Sequence, residues 1–326
     1  MTLMDHNAPA LPGPSVEYRE RLQLLSQASV ERSFAAFKDV PWDDPAFQIP
    51  DDDDRWVLPE ADMLGGHPWY RALPRERQLA VARHRTTAMT KTGAQFEQLL
   101  LMGGTQFLLR LRNQNPEFRY FLHELTEETH HIQMFQEFTN RTCPEVSGCP
   151  RWLVRVFPFV AHIGTFWPGL FFAIILAGEE PIDHYQKMIL RTSKIPPLLQ
   201  RIMAIHAAEE ARHIGFAHAW LIEHTPRMSW LSRMAIAILT PIVMRIGADA
   251  IIVPSRADRQ MMGLPRKVVR EVWFRGAQAR HDRALLFADV RMLFDQLGMR
   301  TRATRWIWRL VGVDGRPSRY RSEPRY

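Results

Sequence analysis

Cysteine is scarce in this 326-residue sequence, and both cysteines, Cys143 and Cys149, lie in the short stretch TCPEVSGCP. Their spacing matches neither a zinc knuckle nor a C-x-x-C redox pair, so both kinds of site are excluded. We expect two reduced thiols in a cytoplasmic protein, with a local disulfide as the alternative. The first residues, MTLMDHNAPALPGPS, lack the basic region and apolar run of a signal peptide, which also favours the cytoplasm.

Alternating apolar and polar residues of the kind that form a half-buried strand are also missing. Helix-forming residues dominate every long segment, and 46% of the residues are hydrophobic, which is ample for a packed core. The sequence therefore predicts an all-α protein.

Charge is absent from residues 156–178, where 23 consecutive positions hold no Asp, Glu, Lys or Arg. This segment is long enough to span a bilayer. Pro158, His162 and Pro168 interrupt it, however, and it runs into Glu179 without a basic flank. We expect a buried bundle helix, and a membrane helix is the alternative.

The helical patterns divide the chain into three parts. Residues 1–60 form an irregular leader, with a candidate amphipathic helix at 15–37, residues 61–299 form the helical body, and residues 300–326 form a basic tail. Four long helices are typical of a ferritin-like bundle, and they are followed by additional C-terminal helices. The expected bounds are 74–112, with a bend near Gly103 and Gly104, then 116–142, 152–190 and 196–224, followed by accessory segments at 230–253 and 265–297.

Positive charge is concentrated at the C-terminal end. The formal net charge is +7, and residues 300–326 contain eight arginines against Asp314 and Glu323, a local charge of +6. Such a tail suits an acidic carrier protein or an anionic membrane surface, and no nucleic acid is expected as a partner. A solvated extension is the alternative.

One short motif occurs twice, as EETHHIQ from Glu127 and as EEARHIG from Glu209. Residues three apart share a helix face, so Glu128 points the same way as His131, and Glu210 the same way as His213. Helical phase places the second glutamate of the first motif, rather than the first, on an apolar stripe. Each motif therefore predicts a carboxylate and an imidazole directed inward.

Three more inward residues follow from the same test. Glu97 is an isolated acid on an apolar helix, and His206 lies four residues before Glu210 on the same face. Glu179 is in phase with a row of isoleucines, although Glu180 stays open because Pro181 can disturb the phase. An ionised carboxylate in an apolar stripe costs several kcal/mol unless it is paired or binds a metal.

The order Glu, Glu-x-x-His, Glu, Glu-x-x-His is that of a di-metal carboxylate bundle. Mixed carboxylate and imidazole donors suit iron or manganese better than a closed structural zinc site. Glu127, Glu209 and Arg212 are candidates for orienting the metal histidines, or for plain helix salt bridges. No catalytic residue beyond the metal ligands can be named from the sequence.

With the additional His206, this arrangement resembles the AurF-type diiron N-oxygenases, the p-aminobenzoate N-oxygenase family. The resemblance implies a homodimer in which a peroxo-diiron species, made from O2 and electrons from an external donor, oxidises a small aryl amine. It also implies seven protein ligands to two iron ions: Glu97, Glu128, His131, Glu179, His206, Glu210 and His213.

Two other functions remain open at this point. A diiron hydroxylase or desaturase acting on a lipid or acyl chain would suit the apolar segments and the basic tail. A ferritin-like protein that binds iron without catalysis would need only the bundle.

Overall fold

The computed structural model describes residues 14–48, 50–192, 195–321 and 323, and this part of the chain is helical without any strand. The all-α prediction is confirmed. Single turns of 3-10 helix lie at Asp54–Trp56 and Thr225–Arg227, and a π-helical turn lies at Glu271–Arg275. The α-helices are α1 Val16–Glu31, α2 Pro68–Arg71, α3 Arg75–Leu108, α4 Pro116–Thr142, α5 Arg151–Ala161, α6 Ile163–Phe166, α7 Pro168–Thr192, α8 Pro197–His224, α9 Trp230–Ile252, α10 Arg256–Met261, α11 Arg266–Arg270, α12 Ala277–Leu286, α13 Ala288–Gln296 and α14 Arg305–Leu310.

Helices α3, α4, α7 and α8 form the four-helix bundle, in which α3 packs on α4, α4 on α8, α8 on α7 and α7 on α3. Two of them begin as the sequence predicts. The Asn115 side chain accepts a hydrogen bond from the Glu117 N–H at the start of α4, and α8 has Pro197 in its first turn. The four ligand-bearing segments therefore lie side by side.

Helix α3 continues through Gly103 and Gly104 to Leu108, where a bend was expected. A Cβ on Gly104 would lie 2.6 Å from a Leu125 methyl group, and one on Gly103 would lie 2.5 Å from the Phe171 ring. These glycines therefore allow α4 and α7 to approach α3 closely, rather than bending it.

The apolar segment 156–178 is divided among three helices, α5, α6 and α7, where one helix was expected. The backbone leaves the helical region at Trp167, because the residue before a proline is disfavoured there and Pro168 follows. The part of the segment that belongs to α7, including Phe172 and Leu176, is buried in the main core. The expectation of a buried bundle helix thus holds for α7, and no single helix spans the segment.

Helix α9 packs on α7 and extends the core on one side. Within the described residues, the segment Trp230–Met261 is the one stretch long and apolar enough to cross a membrane, and 56% of its most apolar window is buried inside the protein. The expected helix at 265–297 is divided among α11, the π-helical turn, α12 and α13. Gly276, whose backbone is extended, ends the π-helical turn.

The described segments near both ends pack against the helical body. Helix α1 lies on α4 and α8, and the Tyr18 hydroxyl donates a hydrogen bond to Glu117. Near the other end, α14 packs on α9 and Trp308 is buried in the main core, while Arg300 and Arg305 both pair with Asp314. The described parts of the leader and the tail are therefore folded.

Candidate metal centre

The structure places all seven predicted ligands in the middle of the bundle, where each is buried. Each bundle helix contributes at least one of these residues, because each carries an inward-facing glutamate at the same height in the bundle. The contributions are Glu97 from α3, Glu128 and His131 from α4, Glu179 from α7, and His206, Glu210 and His213 from α8.

Six of the seven form two overlapping groups whose ligand atoms lie within 4.8 Å of one another. Glu210 and His131 belong to both groups. A carboxylate has two oxygens and can bridge two ions, whereas the inward nitrogen of an imidazole can bind only one. The first group is Glu97, His131, His206 and Glu210, and the second is Glu128, His131, Glu210 and His213.

The two motif histidines direct Nδ1 inward. His131 Nδ1 lies 3.1 Å from Glu128 Oε2, and His213 Nδ1 lies 2.7 Å from Glu128 Oε1 and 3.3 Å from Glu210 Oε1. His206 uses its other nitrogen, since its Nε2 lies 3.2 Å from Glu97 Oε1. Three imidazole nitrogens therefore converge on the carboxylates.

The first glutamate of each motif holds the histidine of the other motif. His131 Nε2 lies 2.8 Å from Glu209 Oε2, and His213 Nε2 lies 2.7 Å from Glu127 Oε2. Arg212 stands between the two glutamates, 2.6 Å from Glu127 and 3.7 Å from Glu209. We call these two contacts, His131 with Glu209 and His213 with Glu127, the reciprocal brace. It explains why the glutamate pair occurs twice, because each of the two histidines needs a carboxylate on the opposite helix to fix its tautomer and ring orientation.

The carboxylates of the centre differ in protonation. Burial, followed by repulsion from Glu128, raises the pKa of Glu97 well above its ordinary value. Burial and repulsion from Glu210 do the same to the pKa of Glu179, whose carboxyl lies within hydrogen-bonding reach of Glu210. Burial also acts to raise the pKa values of Glu128 and Glu210, but the adjacent histidines outweigh it and lower both.

The pKa values of His131 and His206 also shift in opposite directions. Burial acts to lower the pKa of His131, but attraction to Glu128 and the hydrogen bond with Glu209 raise it to about 10. The pKa of His206, in contrast, is lowered to about 4 by burial and by repulsion from His131. In the metal-free protein, protons therefore occupy positions between the carboxylates that a cation would take.

Buried carboxylate oxygens that lack a hydrogen-bond partner indicate whether metal ions fit this set of donors. One oxygen each of Glu97, Glu179 and Glu210 is buried without a hydrogen-bond partner. Among the described residues, no lysine or arginine pairs with these three carboxylates or with Glu128. Two divalent cations would neutralise four carboxylates and satisfy the orphaned oxygens, so the residues present fit a pair of such ions.

The neighbouring acids Glu179 and Glu180 have different surroundings. Glu179 turns toward Glu210, as described above, whereas Glu180 lies 3.0 Å from His218 Nε2. Helical phase selected Glu179 rather than Glu180 as the inward glutamate, and this placement agrees with that choice. Pro181 lies inside α7, which continues past it.

Aromatic rings cover one end of the centre. Phe172 stacks on Trp220 with ring centroids 4.4 Å apart, and Phe121 packs against Phe172 and Phe216. On the other side, Phe135 lies 4.9 Å from the His206 ring. These buried rings give the candidate ligands apolar surroundings.

Sequence reasoning missed two buried polar residues beside the ligands. Gln186 Oε1 lies 2.8 Å from His206 Nδ1 and so orients the third histidine. It follows Glu179 by seven residues, a spacing that puts both on one helix face and could have identified it. Glu124 is buried near His213, and burial raises its pKa well above the ordinary value.

Comparison with known proteins agrees with this geometry. The chain matches the family described as P-aminobenzoate N-oxygenase AurF over residues 15–298. It is 44% identical over 309 residues to the uncharacterized protein MT0908 of Mycobacterium tuberculosis (strain CDC 1551 / Oshkosh), a match that covers 94% of this chain and 91% of the relative. The uncharacterized protein Mb0909 of Mycobacterium bovis (strain ATCC BAA-935 / AF2122/97) matches at the same identity and coverage. The chain therefore belongs to the AurF family of p-aminobenzoate N-oxygenases, a family of diiron oxygenases.

Proposed function

We propose that this protein is an O2-dependent diiron oxygenase that oxidises the nitrogen of a small amine, with an aryl amine as the favoured substrate class. The observation that carries the proposal is the third histidine, His206, which lies in one group of candidate ligands with Glu97, His131 and Glu210. A simple iron-storage bundle has no evident use for this extra nitrogen donor.

In this proposal the seven clustered residues hold two iron ions. Glu97 and His206 lie in one of the two groups that would hold an ion, Glu128 and His213 lie in the other, and His131 and Glu210 belong to both. Glu179 would add a carboxylate through its approach to Glu210. When bound, the irons supply O2 activation, which the side chains alone cannot provide.

The remaining residues maintain the conditions for that chemistry. Glu209 and Glu127 accept the protons on the outer nitrogens of His131 and His213, so the inner nitrogens stay free to bind metal. Gln186 does the same for His206. The aromatic cover around Phe172 and Phe216 excludes water, which strengthens every electrostatic interaction inside.

The lipid hydroxylase alternative drew on the apolar segments. In the folded chain, much of the first segment packs into the protein core as α7, and more than half of the most apolar window around α9 is buried. Core packing accounts for these residues without a lipid substrate. The ferritin-like alternative remains a comparison for the experiment below.

A homodimer, an external electron donor and a cytoplasmic location complete the proposal. The homodimer and the electron donor are expected from the family to which the chain belongs, and the cytoplasmic location from the two free thiols, Cys143 and Cys149. An acidic carrier protein or an anionic membrane surface stays a proposal for the C-terminal arginines, because Arg300, Arg305 and Arg309 share the single carboxylate of Asp314 and the segment keeps its net positive charge.

The test is turnover by the purified, iron-loaded protein, with a chemical reductant in place of the unidentified donor. We expect p-aminobenzoate or another aryl amine to yield hydroxylamine and nitro products that carry oxygen from labelled O2. The matched control is Glu210→Ala, which should lose iron and product together. Oxygenation of acyl chains alone would replace the proposal with the hydroxylase, and iron uptake without oxygenation of any substrate would replace it with the storage function.

A further inference from the structure

A second cluster of metal-binding side chains lies near the start of α3. His84 on α3, Cys143 at the end of α4 and Glu145 in the following loop each place one ligand atom within 4.8 Å of the others. His84 precedes Glu97 by thirteen residues on the same helix, which puts the two clusters about 20 Å apart along the helix axis. The second cluster is thus separate from the carboxylate centre.

The spacing of its atoms suits a single tetrahedral ion. Cys143 Sγ lies 3.6 Å from His84 Nδ1 and 3.0 Å from Glu145 Oε1. Zinc binds sulfur at about 2.3 Å and imidazole nitrogen at about 2.0 Å, so two such ligands at a tetrahedral angle lie about 3.5 Å apart. The sulfur and nitrogen need not move, and the exposed Glu145 side chain is free to adjust.

The surrounding structure directs His84 toward this point. Its Nε2 lies 2.9 Å from Asp258 Oδ1, and that carboxylate also accepts hydrogen bonds from the Ser147 N–H and the Ser255 hydroxyl. Asp258 therefore accepts the Nε2 proton and leaves the Nδ1 lone pair facing Cys143. A carboxylate, a histidine and a metal in series form a recurring arrangement at zinc sites.

The thiol itself argues against a redox or nucleophilic role. Burial, reinforced by the hydrogen bond with Glu145, raises the pKa of Cys143 to about 12. Reactive cysteines have lowered pKa values, so this sulfur is protonated and inert at neutral pH when no cation is present.

We propose that His84, Cys143 and Glu145 bind one zinc ion through nitrogen, sulfur and oxygen, with Asp258 as the positioning residue for His84. Binding breaks the S–H bond and forms a zinc–sulfur bond, the proton passes to solvent, and no electron is transferred. Three protein ligands leave a fourth position, which faces a cavity of about 220 Å³ that Arg77 and Arg83 also line. Water or a small anion would complete the coordination.

Cobalt(II) titration of the iron-loaded protein tests the site, because iron occupies the carboxylate centre and a cobalt–thiolate bond absorbs in the near ultraviolet. We expect one equivalent of cobalt to give this band and zinc to remove it. Cys143→Ser should abolish the band, and Asp258→Asn should weaken cobalt binding about tenfold to a hundredfold. Unchanged iron content in both variants shows that they are folded.

Cys149→Ser is the matched control, since Cys149 lies in the same loop and is buried but belongs to neither metal cluster. It should bind cobalt as the parent does. The proposal is overturned if the parent shows no cobalt–thiolate band, if Cys143→Ser keeps it, or if His84→Gln binds cobalt as tightly as the parent.

Discussion

Two regions of this protein bury carboxylates, and they balance the buried negative charge in opposite ways. Asp62 is fully buried beside Arg85, with Nη2 2.9 Å from Oδ2, and it also accepts hydrogen bonds from the Leu64 and Gly65 N–H groups and the Tyr185 hydroxyl. In the metal centre, Glu97 and Glu179 are equally buried but have no arginine or lysine among their described ion-pair partners. The first carboxylate has its cation in the chain, and the second group requires one from outside.

The difference shows how to distinguish a structural buried charge from a binding site. Arg85 and hydrogen bonds hold the pKa of Asp62 below its ordinary value despite burial, whereas burial and repulsion raise the pKa of Glu97. A buried acid with a lowered pKa is already paired. A group of buried acids in which some remain protonated and unpaired indicates a missing cation.

The largest expected effect is a loss of folding stability at the pair of Asp62 and Arg85. Asp62→Asn should lower the free energy of unfolding by about 3–5 kcal/mol, because it leaves the buried Arg85 without a counter-charge. Denaturant unfolding of the iron-free protein measures this. Asp54→Asn, which removes an exposed partner of Arg75, is the control and should cost less than about 1 kcal/mol. Equal losses in both variants would contradict the comparison.

The same kind of substitution in the metal centre should behave differently. Glu97→Gln and Glu179→Gln should leave the stability of the iron-free protein unchanged or slightly higher, because both carboxyls are already protonated there. Iron content should fall from about two ions per chain to fewer than one. Glu180→Gln is the adjacent control and should keep its iron, since Glu180 contacts His218. A large loss of iron-free stability in the Glu97 variant would mean that this acid is structural.

A smaller effect is expected in the reciprocal brace. Glu127→Gln and Glu209→Gln should each weaken iron binding about tenfold to a hundredfold, because the outer nitrogen of one histidine loses its carboxylate. Glu127→Gln should be the more severe, since Arg212 lies closer to Glu127 than to Glu209. Competition with a chelator measures the iron affinity of each variant. Wild-type affinity in both variants would show that the reciprocal brace does not support iron binding.

The last prediction is a dependence on pH that the metal centre should show and Asp62 should not. The folded pKa of His131 is about 10 against 6.5 for an ordinary histidine, so its stabilising contribution is complete below about pH 6.5 and is lost as the pH rises. Glu97 and Glu179 act in the same direction, but their loss begins at lower pH, because an unfolded glutamate releases its proton near pH 4.5 while these buried carboxyls keep theirs. The iron-free protein should therefore lose stability as the pH rises from about 6.5 to 9.

Asp62 contributes nothing to this slope, because its lowered pKa confines its loss of stability to strongly acidic solution. Thermal unfolding of the iron-free protein across this pH range measures the slope. A flat profile would contradict the protonation pattern of the centre.

Helical period alone predicted which candidate ligands of each helix the structure buries in the bundle core. The spacings from Glu128 to His131 and from His206 to His213 fix which side chains share a face, whatever the helix packs against. The four-helix arrangement then follows from one inward acid on each helix. These are local properties, and a single helix is enough to reveal them.

Features that depend on two helices were not predicted in full. Glu127 and Glu209 were candidates for either bracing or surface salt bridges, because only the packing of α4 on α8 brings each to the opposite histidine. The cluster of His84 and Cys143 joins residues from α3 and the end of α4 that have no common pattern. The break at Trp167 came from one proline acting against a long apolar run, and the sequence does not show which influence prevails.

The reciprocal brace also bears on how quickly iron can leave. His131 and His213 are each held by a glutamate on the facing helix, so a local opening of α4 or α8 alone would strain the candidate ligands of both. Release then requires the two helices to separate as one cooperative unit, and such openings are rarer than the fraying of a single turn. Amide hydrogen exchange in the middle of α4 and α8 should accordingly proceed at matched rates, and the lifetime of bound iron should track those rates more closely than the equilibrium affinity.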